Sequence, residues 1–140
     1  MKLSHLLAPL ALLFAGQAFA ALPAKAVLLD FSSEALIDGK SAHQVLAEAI
    51  PARVWRLYPP SKWGFVSQVV GGLTSGGVCV VSARVMMVPL SATRVPLFHP
   101  EKAATTFEAA TGGTAEQCRV IAKTKLGEAA QSVVSGLVKT

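Results

Sequence analysis

Residues 76–89 read GGVCVVSARVMMVP. Taken alternately, Cys79, Val81, Ala83, Val85 and Met87 fall on one side and are wholly apolar. Val78, Val80, Ser82, Arg84, Met86 and Val88 fall on the other and are mixed. That alternation predicts a half-buried central strand, entered from a glycine-rich turn. Its valines suit a pleated surface. The other cysteine, Cys118, lies early in a segment, residues 115–138, with a different period. There Cys118, Ile121, Ala122, Leu126, Ala129, Val133 and Leu137 recur at steps of three and four. Arg119, Lys123, Glu128, Gln131 and Ser135 fall on the opposite side, so an amphipathic helix is predicted. Thr114 and Gln117 have capping-box spacing, and Glu116 lies in the first turn, where the helix dipole favours an anion. Gly127 and Gly136 lower its intrinsic propensity. Both cysteines lie on apolar sides, so a Cys79–Cys118 disulfide would lay this helix across the sheet.

The chain begins Met1-Lys2 and continues into an apolar run over residues 3–15, then a small-x-small site at Ala18-Phe19-Ala20. This is the layout of a secretory signal peptide over residues 1–20, cleaved after Ala20. The run is shorter than the roughly 20 apolar residues that a membrane span needs. Residues 21–140 remain as a single small domain. With Lys2 removed, the formal charge falls by one from +5, a mild basic excess. Such an excess favours anionic surfaces without implying nucleic acid. An exported chain with two cysteines is expected to form one disulfide. The competing reading is a free catalytic thiol at Cys79 served by His43 or His99.

Several further elements are expected. Residues 26–31 (AVLLDF) read as a strand with Asp30 an odd guest, and Asp38-Gly39 reads as a turn. Ser41 followed by Gln44 suggests the start of a short helix that Pro51 ends. Residues 52–58 (ARVWRLY) and 63–70 (WGFVSQVV) read as strands, with a turn at residues 59–62 between them and a loop at residues 71–77. Residues 93–98 (TRVPLF) suggest an edge strand and residues 102–109 (KAATTFEA) a further strand, although alanine and Glu108 also suit a helix there. The fold class expected is α+β: an antiparallel meander of about four strands, with a short N-terminal helix and the long C-terminal helix packed on one face.

The chemistry-bearing residues are few. Outside the signal the aspartates are Asp30 and Asp38 and the histidines His43 and His99. HExxH, GxSxG and CxxC are absent. The glycine pairs at 71–72 and 76–77 lack the lysine, the hydroxyl and the following helix of a phosphate loop. No metal or other cofactor is expected. One stretch concentrates basic and aromatic groups: Arg53, Trp55, Arg56 and Tyr58, followed by Lys62 and Trp63. Guanidinium groups beside aromatic faces suit a protein contact or an anionic polymer. The structural alternative is that Trp55 fills the core while the arginines lie on its rim. The role expected is an exported, periplasmic or secreted, non-enzymatic binding module whose partner is a protein or an anionic envelope polymer. A small hydrolase, or an inhibitor or immunity-type protein acting on an envelope enzyme, is the alternative.

Overall fold

A computed structural model describes residues 22–139, so the expected signal peptide and its cleavage site lie outside the described residues. The elements in chain order are β1 (Val27–Asp30), α1 (Gly39–Ala49), α2 (Ala52–Leu57), β2 (Trp63–Leu73), β3 (Val78–Pro89), β4 (Lys102–Thr111) and α3 (Ala115–Leu137). The strands form one sheet in the order β1-β2-β3-β4. β2, β3 and β4 are an antiparallel meander, and β1 joins β2 in parallel. A parallel neighbour needs a crossover of a dozen or more residues. The segment containing α1 and α2 supplies it.

β3 follows its sequence pattern. Cys79, Val81, Ala83, Val85 and Met87 are all fully buried under the helices. On β2 the matching side is Phe65, Ser67 and Val69, also buried. α3 crosses β3 and β4 and reaches β2, with α1 beside it. It contributes Cys118, Ala122, Leu126, Ala129, Ala130, Val133 and Leu137 to the same core. Each large apolar side chain so buried is worth about 1.5–3 kcal/mol relative to exposure. The capping box is formed: Gln117 N donates to Thr114 Oγ1 (3.2 Å) and Thr114 N donates to Gln117 Oε1 (2.8 Å). The disulfide joins Cys79 to Cys118 with Cα atoms 5.6 Å apart. Two cysteines in a bond offer no thiolate, which removes the thiol-enzyme reading of Cys79.

Asp30, the odd guest in β1, is a tie between strands. Its Oδ1 accepts from Ser32 Oγ (2.6 Å) and from Ser67 Oγ (2.8 Å). Ser32 Oγ in turn accepts from Val69 N (2.9 Å). Ser67 is the buried polar residue of the sheet, and this network satisfies it.

Four local expectations are corrected. Residues 52–58 contain the helix α2 rather than a strand. Pro51 has no N–H with which to continue α1, and as the N-cap of α2 it needs only its carbonyl, which accepts from Val54 N (2.9 Å). α1 is capped by Asp38, one turn ahead of Ser41: Ser41 N donates to Asp38 Oδ1 (2.9 Å) and Ser41 Oγ to Asp38 Oδ2 (2.7 Å). β2 continues through Gly71 and Gly72 to Leu73, so the hairpin turn is only residues 74–77. Residues 93–98 make one isolated bridge, Leu90 to Pro96, rather than a strand. Arg94 there has a positive φ of 65°, which no ladder accommodates.

Candidate binding surface

The basic-aromatic stretch folds as a helix, a turn and the start of a strand rather than as a hairpin. α2 is two turns at most, and its adjacent residues Val54 and Trp55 face inward. Trp55 is 7% exposed and meets Phe65 edge-on, with ring centroids 5.4 Å apart. It is therefore a core residue, and cannot offer its face to a ligand. Its Nε1 has no hydrogen-bond partner among the described residues. Tyr58 and Trp63 bracket the turn, perpendicular to one another at 5.6 Å, and both are half-buried. Arg53, Arg56, Leu57 and Lys62 are exposed. Leu57, at 62% exposed, adds an apolar spot beside the two guanidinium groups. Among the described residues the ion pairs involve Arg119 and Lys125, and none engages Arg53, Arg56 or Lys62. The sequence-derived site thus divides: Trp55 inward, Tyr58 and Trp63 as a buttress, and three solvent-facing cations at one corner.

A second surface was not singled out by the sequence. Among the described residues the three helices lie on one face of the sheet or at its margin, and none covers the other face. Register places Val70, Ser82 and Phe107 in one row across β2, β3 and β4, with Gly72, Val80 and Ala109 in the next. Val70 and Phe107 are 44% and 63% exposed. At the other end of this face Val66 and Val88 are buried although they stand outside the helix-side core. There the segment after β3 folds back: Leu90 lies against Gly64, and Phe98 packs near Phe31 at 6.3 Å. The available sequence signal was the mixed side of residues 78–88, which holds too many valines and methionines for a wholly solvated face.

Titratable groups are dispersed. His43, in the second turn of α1, and His99, in the segment before β4, are both exposed. Among the described residues no group of three His, Cys, Asp or Glu is placed to hold a metal ion. A groove of about 540 Å³ between α1 and α3 is lined by polar residues including Gln44, Glu48, Lys123, Glu128 and Gln131. Beside it Lys125 pairs with Glu128 (2.9 Å) and Glu108 (3.0 Å), and these two hydrogen bonds hold its ammonium above the usual lysine range. The Asp38 carboxyl is held below its ordinary value, first by the Ser41 hydroxyl and then by the Ser41 amide. No helix among the described residues is long and apolar enough to cross a membrane.

No family model and no curated protein matches the chain. Among solved structures, a chain described as a "putative lipoprotein" from Caulobacter crescentus aligns at 10% identity and a TM-score of 0.34. The alignment covers 79% of this chain and 83% of that one.

Proposed function

We propose that the chain is an exported, non-enzymatic binding module that meets an anionic envelope polymer through α2 and the turn into β2. The observation that carries this is the corner formed by Arg53, Arg56 and Lys62. These are three exposed cations with no carboxylate partner among the described residues, set against the Tyr58–Trp63 buttress. Unpaired cations attract polyanions, and their side chains need not break existing ion pairs to bind. Export is supported by the apolar run and small-x-small site at the N-terminus and by the disulfide.

The test is retention on immobilised polyphosphate and on polygalacturonate, which present phosphate and carboxylate respectively. The wild-type protein should be retained by at least one of them in a salt-sensitive manner. Arg53→Ala/Arg56→Ala should lose most of that retention with an unchanged melting temperature, whereas Lys123→Ala, on the α1–α3 groove, should not. Equal retention of both variants would remove the corner from the proposal. Capture of a folded protein through the same corner, with no polymer retained, would replace the polymer with a protein partner.

A further inference from the structure

We propose that β4 pairs with β4 of a second copy, joining the two sheets into one of eight strands about a two-fold axis at Phe107. β4 is the edge of the sheet and ten residues long. Its register with β3 runs from Val78↔Thr111 to Met87↔Lys102 without a bulge. Among the described residues, no backbone group of residues 103–111 bonds to anything outside the β3 ladder. Natural edge strands are blunted by shortness, proline, a bulge, inward charge or a covering element. β1, at the other edge, is only four residues long, and Arg94 reaches the Lys25 carbonyl beside it. β4 has no proline and no bulge. Its two charged residues both stand on the helix side: Lys102 lies at the end of the strand, and Glu108 is already paired with Lys125 of its own chain (3.0 Å), which offsets repulsion between the Glu108 side chains of two copies brought edge to edge.

The strand is also complementary to itself. Antiparallel pairing centred on Phe107 sets Ala103 opposite Thr111 of the second copy and Thr105 opposite Ala109. On the helix side it sets Ala104 opposite Ala110 and Thr106 opposite Glu108. Every residue from 103 to 111 then has a partner, and no large side chain meets another except at the axis. There the two Phe107 rings meet, and an aromatic cross-strand pair adds about 0.2–1 kcal/mol. Phe107, 63% exposed in the single chain, is covered by this arrangement. The helix side has room as well. A trough of about 300 Å³ lies between the end of β4 and α3, lined by Ala110, Thr111, Gln117, Val120 and Ile121. Val120 is 58% exposed. The second copy's small residues, Ala103 and Ala104, fall opposite this end of the strand. A closed two-fold contact of this kind leaves no further β4 edge and stops at two copies.

Sedimentation equilibrium of the purified protein tests the association, and cysteine crosslinking tests the register. A concentration-dependent dimer is expected, with Phe107→Lys weakening it by about tenfold or more through like charges at the axis. Phe107→Cys should form an interchain disulfide on oxidation, because directly opposed residues have Cα atoms about 4.5–5.5 Å apart. Thr105→Cys should not, because its own counterpart lies four residues away along the ladder. Peptide mapping would verify that Cys79–Cys118 stays intact in both. A protein that remains monomeric to about millimolar concentration overturns the proposal. So does a dimer that withstands Phe107→Lys, or one that crosslinks through Thr105→Cys and not Phe107→Cys.

Discussion

Cys118 stands in the first turn of α3 and is bonded to Cys79 at the start of β3, with both residues buried. The longest helix is therefore fixed to the central sheet by a covalent bond at one end, while among the described residues its other end is held by packing. Leu137 closes the core there, and the Lys102 side chain lies over Gly136.

Removing the bond should expose that asymmetry. With a sequence separation of 39, the closed loop contributes ~4 kcal/mol on the chain-entropy account. Cys79→Ser/Cys118→Ser should lower the melting temperature by more than about ten degrees, since a domain this size moves several degrees per kcal/mol. Amide exchange should rise first in α3, before the β2–β3 hairpin. A shift of only a degree or two, or exchange rising first in the hairpin, would show that the bond does not anchor the helix.

Gly71 and Gly72 are adjacent in β2 and should differ sharply. Both have positive φ, 123° and 150°. A Cβ at Gly71 would collide with the Val80 carbonyl oxygen, whereas one at Gly72 meets nothing within 4 Å. Gly71→Ala therefore combines backbone strain with a clash between strands and should cost more than about 2 kcal/mol; Gly72→Ala carries the strain alone and should cost about half of that. Urea unfolding of the two variants measures the difference, and equal costs would mean that β3 yields to the added methyl.

The parts of the fold that were legible in sequence are those where one period persists. β3 shows its alternation over more than ten residues, α3 repeats its apolar stripe over six turns, and the cysteine pair needs only compartment logic and the two apolar sides. Short segments were not legible. In residues 52–58 a helix of six residues buries only Val54 and Trp55, and two inward residues fit either period. The β-forming side chains then favoured a strand. A conflicting signal was present, since a strand would have set Arg53 on the same side as Trp55 and Leu57. Residues 93–98 misled for a related reason: Val95 and Phe98 suit a strand, but both are exposed and the segment is held by turns. Arg53, Arg56 and Lys62 are exposed although the strand expected for residues 52–58 is a helix, because exposure of charge is nearly independent of secondary structure. Phe107 was missed as a surface residue because a lone aromatic in a strand is read as core until the neighbouring strands are placed.

Trp55 offers a clean test of its core role. Trp55→Ala should cost about 3–5 kcal/mol, the range for a buried large aromatic. Trp55→Phe should cost much less, about 1–2 kcal/mol, because it keeps a ring against Phe65 and loses no hydrogen bond from Nε1. Chemical denaturation with matched m-values measures both. A Phe variant as damaged as the Ala variant would mean that the indole N–H has a partner in solution.

The two perturbed groups set opposite ends of the pH profile. Asp38 is held below its ordinary carboxyl value by the Ser41 hydroxyl and amide, so its ionised form is favoured by folding. Its capping contribution is present in full above the unfolded value, about 3.9, and is lost as pH falls through the lower folded value. Lys125 is held above its ordinary value by Glu128 and Glu108, so its charged form is favoured by folding. That contribution is present below about pH 10.4 and is lost as pH rises through the higher folded value. Asp38 is exposed and Lys125 half-buried, and the effect of each is best read as a difference in melting temperature between wild type and variant. Asp38→Ala should melt a few degrees below wild type from about pH 5 to 8, and the gap should close as pH falls through the lowered folded value, below the ordinary carboxyl value. Lys125→Met should show its gap throughout the same range, with closure only as pH rises through the raised folded value, above the ordinary lysine value. Added salt at neutral pH should shrink the Lys125 gap, which rests on ion pairs, more than the Asp38 gap, which rests on hydrogen bonds to Ser41. An Asp38→Ala gap that survived undiminished in strong acid would mean that α1 is capped by something other than the ionised carboxylate.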